Sequence, residues 1–159
     1  MRTTTTITAL AMALALALTG CASRPNTRLD PDAAARRYEW RGSLVTPATL
    51  AGAMQGRGTA TWARSGEDGS TVTLDLSNAT PGGLHPWHVH RGRCGDNGPI
   101  VGEASAYPSL SVNNDGNARA TANLNVSLPA SGEFYVNVHA LATNMGTIIS
   151  CGNLAPPVL

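Results

Sequence analysis

Three stretches of the chain alternate between apolar and polar residues, and this period of two constrains the fold more than any other feature. In residues 70–78, three aliphatic side chains alternate with Thr, Asp and Ser. Residues 118–128 and 134–139 repeat the pattern. Successive side chains of a β-strand point to opposite faces, so each stretch predicts a strand with one buried and one polar face.

Turn signals separate these stretches and indicate an all-β domain. Clusters rich in Gly, Asn, Asp and Pro stand between the strand-like segments, at residues 66–69, 81–83, 113–116 and 129–132. Weaker strand signals occupy residues 38–45 and 58–64. With 17 glycines and only 13% charged residues, the composition does not fit a helical bundle. We expect about eight antiparallel strands in residues 38–159, arranged as a Greek-key β-sandwich or barrel.

The amino terminus has the features of an export signal. Arg2 precedes an apolar run at residues 7–18, which is too short to span a bilayer and fits a secretory signal. The run ends in Leu-Thr-Gly-Cys at residues 18–21, which is similar to a bacterial lipobox. We therefore expect a signal peptide at residues 1–20 and lipidation of Cys21. The alternative is an ordinary cleaved signal peptide followed by a coincidental cysteine.

The next segment reads as a tether between lipid and domain. Residues 21–37 hold two prolines, mixed charge and no periodicity. The protein is therefore expected outside the cytoplasm and anchored to a membrane by lipid. Ala22 stands where an Asp retains many lipoproteins at the inner membrane. This favours the outer membrane, facing the periplasm, in a Gram-negative cell, and otherwise the outer face of the cell membrane.

The charge of the chain argues against nucleic acid as a partner. All 11 basic residues are arginines, 10 residues are acidic, and no basic run exceeds two residues.

The cysteines indicate a disulfide bond. Once Cys21 is lipidated, Cys94 and Cys151 remain. An intramolecular disulfide is the default for two cysteines in an oxidising compartment. Two free thiols that bind a metal are the alternative.

Histidines are the candidate chemical groups. Three of the four histidines, His85, His88 and His90, lie within six residues. On a strand, His88 and His90 would project from the same face, as a copper or zinc site requires. His139 lies on the polar side of another predicted strand and could converge on them. The alternative is that all four are hydrogen-bonded surface or core histidines.

These residues carry a resemblance to a known family. Residues 83–90, Gly-Leu-His-Pro-Trp-His-Val-His, resemble the first signature of copper/zinc superoxide dismutases, G-x-H-G-[FW]-H-x-H. Residues 98–99, 136–140 and 150–154 are similar to later motifs of that family. The chain is thereby identified as a divergent lipoprotein member without the zinc site, with the β-barrel of the family.

The resemblance implies a role for each histidine. His88, His90 and His139 match copper ligands of the family, and His85 matches a histidine that supports the copper strand through hydrogen bonds. It also implies the disulfide between Cys94 and Cys151. One copper ion and no zinc are expected, because no histidine remains for a zinc site.

Two positions depart from the family pattern. The fourth copper ligand, which bridges to zinc, is replaced by Ile100, and an arginine that guides superoxide is replaced by Ile148. Arg91 and Arg93 are either partial substitutes or solvated loop residues. Met145 offers either a thioether ligand for Cu(I) or an apolar loop contact.

Three functions follow from the resemblance. The first is dismutation of superoxide by Cu(I)/Cu(II) cycling at the three-histidine site, with weak activity expected because of Ile100 and Ile148. The second is a non-enzymatic lipoprotein that binds and buffers Cu(I). The third is a metal-free structural module of the same fold. The expected partners are superoxide or copper ions and, through the lipid, a membrane. No catalytic residue is assigned beyond the metal ligands.

Overall fold

The first described strand begins at Glu39, within the first of the two weaker strand signals. A computed structural model describes residues 38–157. The predicted signal peptide (residues 1–20), Cys21 and the predicted tether (residues 21–37) lie outside the described residues.

The described residues form nine β-strands and no α-helix, which confirms the predicted all-β class. The strands are β1 (Glu39–Val45), β2 (Arg57–Ser65), β3 (Gly69–Ser77), β4 (Leu84–His85), β5 (Trp87–Arg91), β6 (Leu110–Ser111), β7 (Ala118–Leu124), β8 (Phe134–Leu141) and β9 (Asn144–Leu154). A single turn of 3-10 helix, Ala104–Ala106, precedes β6. Between residues 38 and 157, no helix is long and apolar enough to cross a membrane.

Seven strands form one curled antiparallel sheet with a Greek-key path. The order across the sheet is β5-β8-β9-β1-β2-β3-β7, and β4 pairs with β6 in a small second sheet. The chain crosses from β3 to β5 at the opposite edge, returns to β7 beside β3, and then adds β8 beside β5. Apolar side chains of both edge strands, β5 and β7, belong to one buried cluster. The sheet therefore curls around a single core, as in a β-sandwich or barrel.

The core is built by the alternating residues. Every second residue of β3 and of β7 is buried, as the period of two predicts. Trp40 of β1 and Trp62 of β2 are fully buried, and each packs edge-on against Phe134 of β8 at a ring-centroid distance of 5.1 Å. Because Phe134 belongs to a different part of the sheet, these contacts join its two halves.

Two elements differ from the alternating pattern. β7 ends at Leu124, although the alternation continues to residue 128, because Val126 and Leu128 pack on the core without a strand partner. β9 has no period-two signal of its own. Its register with β8 shifts at His139, so that both Ile149 and Ser150 are buried. A bulge of this kind inserts an extra residue and interrupts the alternation.

Candidate metal centre

His88 and His90 lie on β5, an edge strand with two buried faces. Trp87 and Val89 of the same strand are fully buried in the core. The alternation of the strand therefore turns both histidines to the outer face of the sheet, with ring centroids 5.8 Å apart. Both are nevertheless buried, with 6% and 8% of their surface exposed. The loop after β5 and the neighbouring aromatic rings cover this face.

The third histidine comes from the neighbouring strand. β8 pairs antiparallel with β5, and His139 lies at the register irregularity of β8 with β9. Its backbone N–H donates to the carbonyl of Pro86, 2.8 Å away, at the start of β5. This contact holds the His139 ring 5.5 Å from that of His88 and 6.3 Å from that of His90, measured between centroids.

The three rings form a group that can bind a metal ion. One ring nitrogen from each of His88, His90 and His139 lies within 4.8 Å of the others, and all three side chains are buried. Imidazole nitrogen is a ligand for copper, zinc, iron and nickel. The structure thus brings together the three residues that the sequence selected as metal ligands.

Backbone carbonyls select the tautomers of two rings. Nδ1 of His90 lies 2.8 Å from the carbonyl of Gly98, and Nδ1 of His139 lies 2.6 Å from the carbonyl of Met145. A carbonyl only accepts, so both Nδ1 atoms carry the proton. The Nε2 atoms of both rings keep their lone pairs, and they are buried without a hydrogen-bond partner among the described residues.

In His88 the unpaired nitrogen is Nδ1, whereas in His90 and His139 it is Nε2. The Nδ1 of His88 is buried and has no hydrogen-bond partner within residues 38–157. Burial, together with the positive charges that His139 and His90 would carry, lowers the pKa of His88 to about 4. Burial also lowers the pKa values of His90 and His139, although their bonds to Gly98 and Met145 oppose the shift. The rings are therefore neutral near pH 7, which is the form that binds metals.

Two tyrosines enclose the group. Tyr135 stacks on His90 with an interplanar angle of 18° and a centroid distance of 5.1 Å, and its hydroxyl accepts the N–H of Gly98 at 3.0 Å. Tyr107 meets the ring of His88 edge-on at 5.2 Å, and its hydroxyl donates to the carbonyl of Val101 at 2.7 Å. Burial raises the pKa of Tyr107 to about 12. Each tyrosine therefore fixes a histidine ring and excludes water beside it.

His85 supports the group and does not join it. Its Nδ1–H is shared between the carbonyls of His139, at 3.1 Å, and Ala140, at 2.8 Å. These bonds fix the backbone of β8 at the residue whose ring faces His88. The role of His85 is to orient His139, as partners outside the ligand set commonly do.

Cys94, Cys151 and the two arginines singled out in the sequence lie around the three histidines and are not part of the group. Cys94, in the loop after β5, is joined to Cys151 of β9 by a disulfide bond. The guanidinium of Arg91 lies over the ring of Phe134, and Arg93 forms an exposed ion pair with Glu133. Both arginines therefore have partners away from the three histidines.

The two isoleucines offer no ligand. Ile100 forms an isolated β-bridge with His90 and packs on the core, and Ile148 lies opposite His139 on β9. Met145 contributes its backbone carbonyl to His139, a role that its side-chain chemistry could not indicate.

Several residues that surround the three histidines were not selected from the sequence. Tyr135 and Asn137 are separated from His139 by even numbers of residues on β8, so the period of two alone could have placed them beside it. Tyr107 follows the 3-10 turn in an irregular segment, where no periodicity points to it. Gly98 was used only as part of a family motif, whereas its carbonyl orients His90.

Comparison with known protein families identifies the family to which this chain belongs. The model of the CHRD domain matches residues 39–148, which is more than half of the chain. The chain belongs to the CHRD domain family. A comparison with curated proteins finds no match. The matched segment of the CHRD domain starts with β1 and ends within β9, so it includes all three clustered histidines.

This result corrects the resemblance to copper/zinc superoxide dismutases, which is wrong as a family assignment. The matching family is the CHRD domain, and no dismutase family matches. The resemblance also implied a copper enzyme or copper lipoprotein of the dismutase type and an oxidoreductase activity. These functional predictions are wrong because they depended on the dismutase family assignment. The physical reason is that the resemblance depended on short motifs. Histidines at alternate positions of a strand bring two rings to one face in any β-sheet, whatever the family.

Proposed function

We propose that this CHRD domain binds one copper ion through Nδ1 of His88 and Nε2 of His90 and His139. The observation that carries the proposal is that these three nitrogens are buried without hydrogen-bond partners among the described residues. Burying an unpaired polar atom costs free energy, and a bound cation would remove that cost. Nε2 of His85 and Nε1 of Trp62 are also buried without a partner, but only His88, His90 and His139 form a group, among the described residues, in which one ring nitrogen from each lies within 4.8 Å of the others.

The donor set favours monovalent copper. The group consists of three neutral imidazoles and includes no carboxylate or thiolate from residues 38–157. A divalent ion in a buried site without a negative ligand bears the larger desolvation cost, because that cost rises with charge. Cu(I) carries one charge and accepts three ligands, so the site suits Cu(I) better than Cu(II) or zinc.

Competition between the two metals tests the proposal. Metal-free protein is mixed under anaerobic conditions with one equivalent of Cu(I) and ten of Zn(II), desalted, and analysed by inductively coupled plasma mass spectrometry. We expect one copper per chain and little zinc. Zinc in place of copper would overturn the choice of metal. Failure to retain either metal, or retention of copper by a variant in which His88, His90 and His139 are all alanine, would overturn the site.

We further propose that the protein is exported and anchored by a lipid on Cys21, at the outer membrane in a Gram-negative cell. The Leu-Thr-Gly-Cys sequence at residues 18–21 supports the lipid anchor. The Cys94–Cys151 disulfide supports the export, because such bonds persist in oxidising compartments.

A further inference from the structure

A groove crosses the outer face of the sheet next to the three histidines. Its volume is about 800 Å³, and its floor contains Asn137 of β8 with Ile148 and Cys151 of β9. The loop after β1 forms one wall, and the loop that carries Cys94 forms the other. We call it the β9 groove. A cavity of this size accommodates a molecule of drug-like dimensions.

The β9 groove contains no charge. None of its 15 lining residues is Asp, Glu, Lys, Arg or His. A charged ligand would lose its hydration without gaining a partner of opposite charge, so an uncharged ligand is favoured. The groove also contains apolar surface, which comes from Val45, Leu50, Ile148 and the disulfide. Val45 has 59% of its surface exposed. An apolar body on the ligand would cover them.

Asn137 gives the β9 groove a polar contact point. The residue is only 7% exposed, its Oδ1 is buried without a partner, and its side chain forms no hydrogen bond with the described residues. An unpaired buried amide costs free energy and is uncommon in native proteins. Rotation about χ2 exchanges its donor and acceptor ends, so a ligand group that can both donate and accept would pair with either end.

We propose that the β9 groove is a binding site for an uncharged amphipathic small molecule whose amide or hydroxyl group pairs with the side chain of Asn137. The site is separate from the metal ligands, although it begins beside them. His88, Asn137, Cys151 and Val45 lie opposite one another on β5, β8, β9 and β1. Binding in the groove requires no metal, so the test uses metal-free protein, and its result is independent of the copper proposal.

Benzamide and benzoate are suitable probes because they share a ring and differ in charge. Each is titrated into metal-free ¹⁵N-labelled protein, and amide shifts are followed by NMR. We expect benzamide to shift the amides of Gly146, Ile148 and Gly152, and benzoate to bind more weakly. Asn137→Leu, a change of similar shape that removes the unpaired amide, should weaken benzamide about 2- to 10-fold, as loss of one hydrogen bond does. The same change at exposed Asn125, outside the groove, should have no effect.

A charge variant provides an independent check. Thr49 lies exposed on the wall of the groove, so Thr49→Lys should leave the fold intact while it places a cation there. We expect this variant to bind benzoate more tightly than the wild type does. Absence of shifts at the groove amides at the solubility limit of benzamide would overturn the proposal. Shifts confined to other surfaces, or equal binding by the wild type and Asn137→Leu, would also overturn it.

Discussion

The carbonyl of Gly98 lies 2.8 Å from Nδ1 of His90 and determines which nitrogen of that ring is free. The N–H of Gly98 donates to the hydroxyl of Tyr135, the ring that stacks on His90. One glycine thus fixes both the tautomer of His90 and the aromatic ring that covers it. No side chain fits at this position, because a Cβ on Gly98 would collide with the carbonyl of Arg91.

Gly98→Ala should therefore weaken copper binding without removing a ligand. The loop must move to relieve the collision, and the carbonyl then leaves His90. We expect a loss of about 10- to 100-fold in Cu(I) affinity, as for other changes to the partners of metal ligands, measured by competition with a chromophoric Cu(I) chelator. Gly52→Ala is the matched control, since a Cβ there meets nothing within 4 Å. Equal affinities of the two variants would contradict the role of Gly98.

Alanine variants should distinguish the histidines that bind copper from His85, which only positions them. His88→Ala and His139→Ala should each lose copper severely, because two imidazoles do not complete the site. His85→Ala removes a buried ring and the hydrogen bonds that hold β8 but no metal ligand, so its loss of affinity should be smaller, about 10- to 100-fold. The measurement is copper content after dialysis against a chelator. Copper that survives His139→Ala would show that the ligands are wrongly assigned.

The stability of the metal-free protein should fall as the pH falls from 7.5 to 5. The pKa of His88 is about 4 in the folded protein and 6.5 in the unfolded chain, so the unfolded chain takes up a proton that the fold excludes. The free energy of unfolding is therefore greatest above pH 6.5 and decreases toward pH 4. Urea denaturation across this range measures it. His88→Ala should flatten the slope, and an unchanged slope would contradict the lowered pKa.

The disulfide should stabilise the domain strongly. Cys94 and Cys151 are 57 residues apart, and a loop of that length stabilises by about 4 kcal/mol in the chain-entropy model. Replacing both cysteines by serine should lower the free energy of unfolding in urea by about that amount. The control is Cys21→Ser, which leaves the disulfide in place. Equal stability of the two variants would contradict the prediction.

Lipidation of Cys21 should hold the protein on a membrane. Cys21→Ser removes the thiol that would carry the lipid, so we expect it to abolish labelling by radioactive palmitate and to release the protein from the membrane fraction. Cys94→Ser should keep the label. Continued labelling of Cys21→Ser, or its retention by membranes, would show that the anchor is elsewhere.

The strands and part of the site follow from local sequence. A period of two places every second residue of β3 and β7 in the core, and it places His88 and His90 on one face of β5 whatever the rest of the chain does. These features depend only on how successive side chains project from an extended backbone. The period of two did not predict β9, because a bulge interrupts its alternation.

Family membership required more than local spacing. The motifs around His88 and His139 suggested superoxide dismutases, whereas the CHRD domain matches over residues 39–148. Short motifs report how neighbouring side chains project, and unrelated sheets share that geometry. A match over most of a domain also includes the core positions and loop lengths between the motifs.

Only the tertiary structure decided how the histidines work together. The pairing of β5 with β8 brings His139 to His88 across 51 residues of chain, and carbonyls of Gly98 and Met145 leave Nε2 free on His90 and His139. The burial that lowers the pKa values of these rings comes from loops and from two tyrosines. Projection along a strand is set within a few residues, so the sequence shows it directly. Strand pairing, tautomer and burial depend on groups distant in the chain, so they exist only after folding.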